Sequence, residues 1–123
     1  MSSFLSRWRG LGSLALVLGV VLGLSQWARW SQQDRHAEAL RQLLSPGQLQ
    51  MISSTTCTYC DRARTWFTQE RIPFTECYIE RDKACLARYQ ALGARGTPTF
   101  VLHEQVVLGL DLPRLQALAQ QQR

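Results

Sequence analysis

The sequence predicts a small α/β domain, a mixed four-stranded sheet flanked by helices, preceded by an N-terminal transmembrane helix. Three observations lead to this prediction. An apolar run follows a short basic leader at the start of the chain. From residue 48 onward, short apolar runs typical of strands alternate with longer runs whose apolar residues recur at helical spacing. Turn residues separate these runs at intervals that suit a single small domain.

The N-terminal segment has the composition of a membrane anchor. Residues 1–10 form a basic leader with Arg7 and Arg9 and no acidic residue, and residues 11–30 are predominantly apolar. Together with neighbouring uncharged residues, the apolar run approaches the ~20 residues that cross a bilayer, so we predict a transmembrane or signal-anchor helix. Tryptophans, which favour membrane interfaces, flank it at Trp8, Trp27 and Trp30. A cleavable signal peptide is the open alternative.

Charge sets expectations for partners and location. The net charge of +5 comes from 14 Lys and Arg against 9 Asp and Glu, and these charges are scattered along the chain. Nucleic-acid binding needs basic residues gathered on one face, so we expect that the protein does not bind nucleic acid. The signal-like leader favours a single-pass protein with a cytoplasmic N-terminus and a C-terminal domain in the periplasm, if the source is a Gram-negative bacterium.

The remaining chain divides into a linker and a domain. Residues 31–47 predict a helical linker, in which Ser31 and Asp34 can form a capping box, and Pro46 with Gly47 ends the helix. Within residues 48–123 the predicted order is strand, helix, strand, helix, strand, strand, helix. The predicted strands are Leu49–Ser53, Phe74–Ile79, Thr99–Leu102 and Gln105–Leu108; the predicted helices are Cys57–Glu70, Asp82–Leu92 and a last one from Leu112, capped by Asp111. This order implies a mixed sheet with helices packed on it.

The pair Cys57 and Cys60 is the predicted catalytic group. Both cysteines follow a strand directly and begin a helix, whose free N–H groups and dipole favour a thiolate at Cys57. Cys57 is therefore the expected nucleophile. Cys60, one turn further on, is more shielded and is the expected resolving thiol that releases the partner from a mixed disulfide. A zinc site is the alternative, but Cys77 and Cys85 lack the second C-x-x-C spacing, so we predict no metal.

Two further features accompany this pair. Thr97 and Pro98 precede a strand, as a cis X-Pro turn beside an active site would, and such a turn exposes backbone that can pair with a substrate chain. Cys77 and Cys85 are expected to turn toward the same interior layer, one from a strand and one from a helix. We predict a structural disulfide between them, and two free buried thiols remain the alternative.

Residues 48 to 119 resemble the glutaredoxin branch of the thioredoxin superfamily. The matching motifs are Cys57-Thr58-Tyr59-Cys60, Gly96-Thr97-Pro98 and Leu108-Gly109-Leu110-Asp111. The resemblance implies a thioredoxin-like fold and a thiol-disulfide oxidoreductase acting on protein disulfides or glutathione mixed disulfides. It implies no tightly bound cofactor, with glutathione as a potential co-substrate. The substrate-binding residues that it implies are Thr58, Tyr59, Thr97, Pro98, Gly109 and Asp111.

The chain departs from the family pattern at three positions. Thr58 replaces a proline, Ser54 replaces a basic residue three positions before the first cysteine, and Leu108 replaces one of two glycines. These departures bear on glutathione binding and favour protein disulfides as competing substrates. Two other functions remain open: an iron-sulfur cluster carrier, and a membrane-tethered interaction module without activity.

Overall fold

The computed structural model describes residues 2–122, and for residues 2–9 it describes the backbone alone. The side chains of Arg7, Trp8 and Arg9 in the predicted leader therefore lie outside the described residues. The chain divides into two compact units, Met1–Asp34 and Arg35–Arg123.

The first unit consists of helix. Helix α1 spans Ser2–Leu43, and the large apolar side chains between Leu11 and Trp30 are exposed. By length and composition α1 is a candidate membrane span, and a signal sequence would have the same properties. The helix does not begin anew at Ser31, as the proposed capping box required. Instead, the Ser31 hydroxyl donates to the Ala28 carbonyl at 2.9 Å, a bond that a serine inside a helix can make.

The last two turns of α1 belong to the second unit, although the sequence pattern places them in the linker 31–47. Ala37 and Leu40 are completely buried, and Leu44, just after the helix, is 6% exposed. His36 Nδ1 lies 2.6 Å from the Gln116 side-chain oxygen of the last helix. Burial of apolar side chains, which stabilises by roughly 25 cal/mol per Å², holds this segment on the domain.

The second unit contains the elements predicted from residue 48 onward, with bounds that are the same as predicted or shifted by one residue. They are β1 (Leu49–Ser53), α2 (Thr58–Gln69), β2 (Thr75–Tyr78), α3 (Lys83–Ala91), β3 (Thr99–Leu102), β4 (Gln105–Leu108) and α4 (Leu112–Gln120). The sheet order is β2-β1-β3-β4, with β1 and β2 parallel and the other pairs antiparallel. The predicted α/β fold with a mixed four-stranded sheet is confirmed.

Helices cover both faces of this sheet. On one face the aromatic rings of Phe67 from α2 and Phe100 from β3 lie 5.3 Å apart between centroids, and α4 joins the same apolar cluster. On the other face Cys85 of α3 packs with Ile52 and Val101. Alternate strand residues point to opposite faces, so the two clusters follow directly from the strand pattern.

One end of the sheet gathers four loops. Ser53 ends β1 opposite Tyr78, which ends β2, because these strands are parallel. Thr99 begins β3 opposite Ile52, and Leu108 ends β4 opposite Thr99. The loops 54–57, 79–82, 96–98 and 109–111 therefore all lie at this end, which we call the loop end.

Candidate active site

The C-x-x-C pair lies where the loop from β1 enters α2. Cys57 is the N-cap residue of α2, in an extended conformation, and its Sγ accepts the backbone N–H of Cys60 at 3.0 Å. The structure joins Cys57 and Cys60 in a disulfide with Cα atoms 5.2 Å apart. Cys57 is half-buried and Cys60 is completely buried. One sulfur is thus accessible to a substrate, and the other is shielded one turn below it.

The first turn of α2 favours negative charge on the outer sulfur. Backbone N–H groups at a helix start have no partner within the helix, and the dipole is positive there. Thr58 and Tyr59 lie between the cysteines and are exposed; 70% of Tyr59 is accessible. The Arg62 guanidinium lies 5.7 Å from the Tyr59 ring centroid, which adds a cation beside the pair.

The predicted cis-proline loop is present at the loop end. The Thr97–Pro98 peptide bond is cis, with Pro98 buried and Thr97 half-buried. The Gly109 amide donates to the Pro98 carbonyl at 2.8 Å, and Gly109 has a φ of +73°, a conformation that glycine adopts readily. Asp111 caps α4 by accepting the Arg114 amide at 3.1 Å. All of the sequence-predicted substrate-binding residues are therefore placed at the loop end.

A shallow groove continues from the pair along the outer surface of α2. Its volume is about 320 Å³, and it is lined by Thr58, Asp61, Arg62, Thr65, Trp66 and Gln69. Its lining mixes charged, polar and aromatic side chains.

The sequence pattern did not identify the ion pair that fastens α2 to the sheet. Glu76 of β2 accepts from Arg64 Nε at 2.7 Å, from Arg64 Nη2 at 2.6 Å and from the Ser53 hydroxyl at 2.7 Å. Arg64 also donates to Asp61 at 2.8 Å. Burial by itself raises the pKa of Glu76, but the hydrogen bonds from Arg64 and Ser53 outweigh it and hold that pKa below its usual value. Arg64 lies one turn after Cys60 in α2. Its ion pair with Glu76 therefore holds the start of α2 against β2.

A second missed residue is Glu80, in the loop after β2. Its carboxylate accepts the Ser54 hydroxyl and, at 3.1 Å, the Thr55 amide, both in the loop that leads to Cys57. The hydrogen bond from Ser54 lowers the pKa of Glu80, so this carboxylate is ionised at neutral pH. No pattern in the sequence predicts the contact of Glu80 with Ser54 and Thr55, because the two loops become neighbours only through the parallel pairing of β1 with β2.

The second cysteine pair lies on the opposite face of the sheet. Cys77 and Cys85 are joined by a disulfide with Cα atoms 6.0 Å apart, between β2 and α3. Cys85 is 3% exposed, and Cys77 packs beside it with Ile79, Tyr89 and Leu92. The two bonded cysteines close the loop that carries Glu80. Within residues 2–122, no group of three or more His, Cys, Asp or Glu side chains is arranged to hold a metal ion.

Comparison with known proteins finds one matching family model. Residues 49–107 match the family model described as Glutaredoxin. The matched segment, just under half of the chain, is thus similar to glutaredoxins. At the level of the family, this match together with the Cys57–Cys60 pair supports the activity of a thiol-disulfide oxidoreductase. The resemblance inferred from the motifs is thereby confirmed.

Three solved structures are similar to this domain. A mutant of the thioredoxin-like protein BC3987 is 21% identical with a TM-score of 0.54, and the match covers 60% of this chain and 96% of that one. Unmutated BC3987 is 22% identical with a TM-score of 0.51, covering 57% and 97%. A glutaredoxin from Archaeoglobus fulgidus is 22% identical with a TM-score of 0.49, covering 58% and 84%. The two BC3987 structures show that the fold is thioredoxin-like.

Proposed function

We propose that this chain is a membrane-anchored thiol-disulfide oxidoreductase in which Cys57 is the nucleophile and Cys60 the resolving thiol. The observation that carries the proposal is the position of Cys57 as the N-cap of α2, half-buried above a completely buried Cys60. A sulfur in this position has amide donors and a positive dipole end to stabilise its thiolate. The shielded sulfur reacts only after the first one has captured a partner.

The exchange has two steps, starting from the dithiol form. The Cys57 thiolate attacks one sulfur of a substrate disulfide, which forms a mixed disulfide and releases a thiolate that takes up a proton. Cys60 then loses its proton and attacks the Cys57 sulfur, which releases the second substrate thiol and leaves the Cys57–Cys60 disulfide. The substrate gains two electrons and the protein loses two; a dithiol or two monothiol molecules restore the starting form.

The partners are disulfide-bearing proteins or glutathione, and the membrane is the site of action. The apolar segment of α1 is long enough to anchor the chain. The signal-like leader supports a cytoplasmic N-terminus, with the glutaredoxin domain in the periplasm. Thr58, Tyr59, Thr97, Pro98, Gly109 and Asp111 form the substrate-binding surface in this proposal.

Two single substitutions in the full chain, kept in detergent, test the roles. Cys57→Ser should abolish reduction of a peptide disulfide, whereas Cys60→Ser should accumulate a mixed disulfide that mass spectrometry detects. The double variant Cys77→Ala, Cys85→Ala is the matched control and should retain exchange, because it removes two cysteines on the other face of the sheet. Exchange that survives Cys57→Ser would contradict the assignment.

A further inference from the structure

We infer that this site acts on disulfides in polypeptides whose cysteine is flanked by apolar, non-acidic residues, that Glu80 disfavours glutathione, and that Leu108 favours the apolar polypeptide. The inference rests on the proposed exchange function and specifies its substrate. Glutathione is a small peptide with a net negative charge, two carboxylates and no apolar side chain. The loop end of the domain offers little to such a molecule.

The Glu80 carboxylate already accepts hydrogen bonds from two donors in the loop before Cys57. The Ser54 hydroxyl and the Thr55 amide, three and two residues before Cys57, both donate to its carboxylate. A substrate carboxylate that approaches Cys57 from this side therefore meets a fixed negative charge instead of free donors. The Glu80 carboxylate and a substrate carboxylate repel each other, so an anionic substrate is disfavoured at this side of Cys57.

The cations of the loop end do not form an ion pair with this charge. Arg81 lies over the Tyr78 ring, 4.8 Å from its centroid, and Arg62 lies over Tyr59. Among the side chains that the structure describes, those of residues 10–122, no cation forms an ion pair with Glu80. The side of Cys57 formed by the loop 54–56 thus carries the Glu80 carboxylate, with Arg81 close enough to act on it electrostatically but not hydrogen-bonded to it, while Arg62 lies on the helix side.

Apolar surface is concentrated at the same end. The domain exposes four large apolar side chains among its described residues, and three of them belong to the loop end: Tyr59 at 70%, Leu108 at 59% and Leu110 at 40%. The fourth, Leu86, lies in the first turn of α3, directly after the loop that carries Glu80. Apolar side chains gathered in this way beside a reactive group mark a surface that binds a partner.

Leu108 lies against the cis-proline loop. A Cβ atom added to Gly96 would stand 3.3 Å from Leu108 Cδ1, so this side chain covers the residue before Thr97. Leu108 and Leu110 flank Gly109, whose amide is bonded to the Pro98 carbonyl. An extended peptide lying along this loop buries apolar side chains on both leucines, and glutathione has none to bury.

The test compares three full-length variants in detergent: Glu80→Gln, Leu108→Ala and the control Glu104→Gln. Glu104 carries the same charge in the β3–β4 turn, at the opposite end of the sheet, where it pairs with Arg88. The substrates are glutathione disulfide and two synthetic peptide disulfides of equal length. Their cysteines are flanked by leucine in one peptide and by glutamate in the other. The readout is the rate constant for oxidation of the prereduced protein, at low and high salt.

The unchanged protein should react at least about tenfold faster with the leucine-flanked peptide than with glutathione disulfide. Glu80→Gln should speed the reactions of glutathione disulfide and the glutamate-flanked peptide about fivefold at low salt, and salt should reduce this gain. Leu108→Ala should slow the leucine-flanked peptide about fivefold and leave glutathione disulfide unchanged. Glu104→Gln should change none of the rates.

Two results overturn the inference while leaving the exchange function intact. One is a rate with glutathione disulfide that equals the rate with the leucine-flanked peptide. The other is an equal effect of Glu80→Gln and Glu104→Gln. If the reduced protein exchanges with none of the three disulfides, the proposed function itself fails. A melting curve for each variant verifies that the fold is retained.

Discussion

Replacing Glu76 with glutamine tests the link between the sheet and the helix that carries the cysteines. The substitution keeps the size of the side chain and removes its charge. Three hydrogen bonds end on this carboxylate, two from Arg64 and one from Ser53. The Glu76 side chain is 14% exposed and that of Arg64 is 33% exposed, so water screens the pair only in part.

The expected loss of stability follows from these bonds. A hydrogen bond to a charged group contributes about 1.5–3 kcal/mol, whereas a neutral one contributes about 0.5–1.5 kcal/mol. The amide introduced by Glu76→Gln would offer one accepting oxygen, and its N–H₂ group would face the Arg64 guanidinium without a bond. A loss of about 1 kcal/mol on each of the two Arg64 bonds lowers the free energy of unfolding by about 2 kcal/mol. For a domain of this size the melting temperature should fall by about 10 °C.

The pH dependence gives a second, independent readout. The pKa of Glu76 is lower in the folded protein than in the unfolded chain, where it is about 4.3. Its contribution to stability is therefore complete at pH values above the unfolded pKa and is lost as the pH falls through the folded pKa. The difference between the unchanged protein and Glu76→Gln should be constant near pH 7 and should shrink below about pH 4.

Urea unfolding of the full chain in detergent, followed by pulse proteolysis, measures these free energies. The control is Glu38→Gln, which removes a carboxylate from an exposed pair with Arg41 at 2.7 Å and should lower the free energy of unfolding much less than Glu76→Gln does. If Glu76→Gln costs no more than Glu38→Gln, or if its effect persists unchanged in acid, the assigned role of the ion pair is wrong.

Three further outcomes are expected. Replacing Cys77 and Cys85 together by alanine opens a loop with a sequence separation of 8 and should lower the free energy of unfolding by about 2.5 kcal/mol, measured by the same assay. Phe67→Ala should cost about 3–5 kcal/mol, because this completely buried ring contacts three other aromatic rings; a loss below about 1 kcal/mol would contradict that packing. Protease added to intact spheroplasts should digest the glutaredoxin domain, and a protected domain would reverse the proposed orientation.

Local signals in the sequence were sufficient to predict the elements of the domain and the cysteine pair. Asp111, directly before Leu112, was predicted as a helix cap from the neighbouring residues alone, and in the structure it is the N-cap of α4. Cys57 at the strand-to-helix junction is equally local, because a helix start creates its own polar environment. Strand alternation for Cys77 and helical spacing for Cys85 together predicted that the two face the same layer, where the structure joins them.

The tertiary structure alone decided which distant residues meet. Arg64 of α2 and Glu76 of β2 form an ion pair across the fold, and Glu80 reaches Ser54 because β1 and β2 are parallel and end together. The segment around Leu40 belongs to the core because the domain leaves an apolar face for it, and no local pattern reveals that face. Sequence periodicity specifies which face of an element is apolar; the partner of that face depends on the register and packing of the whole chain.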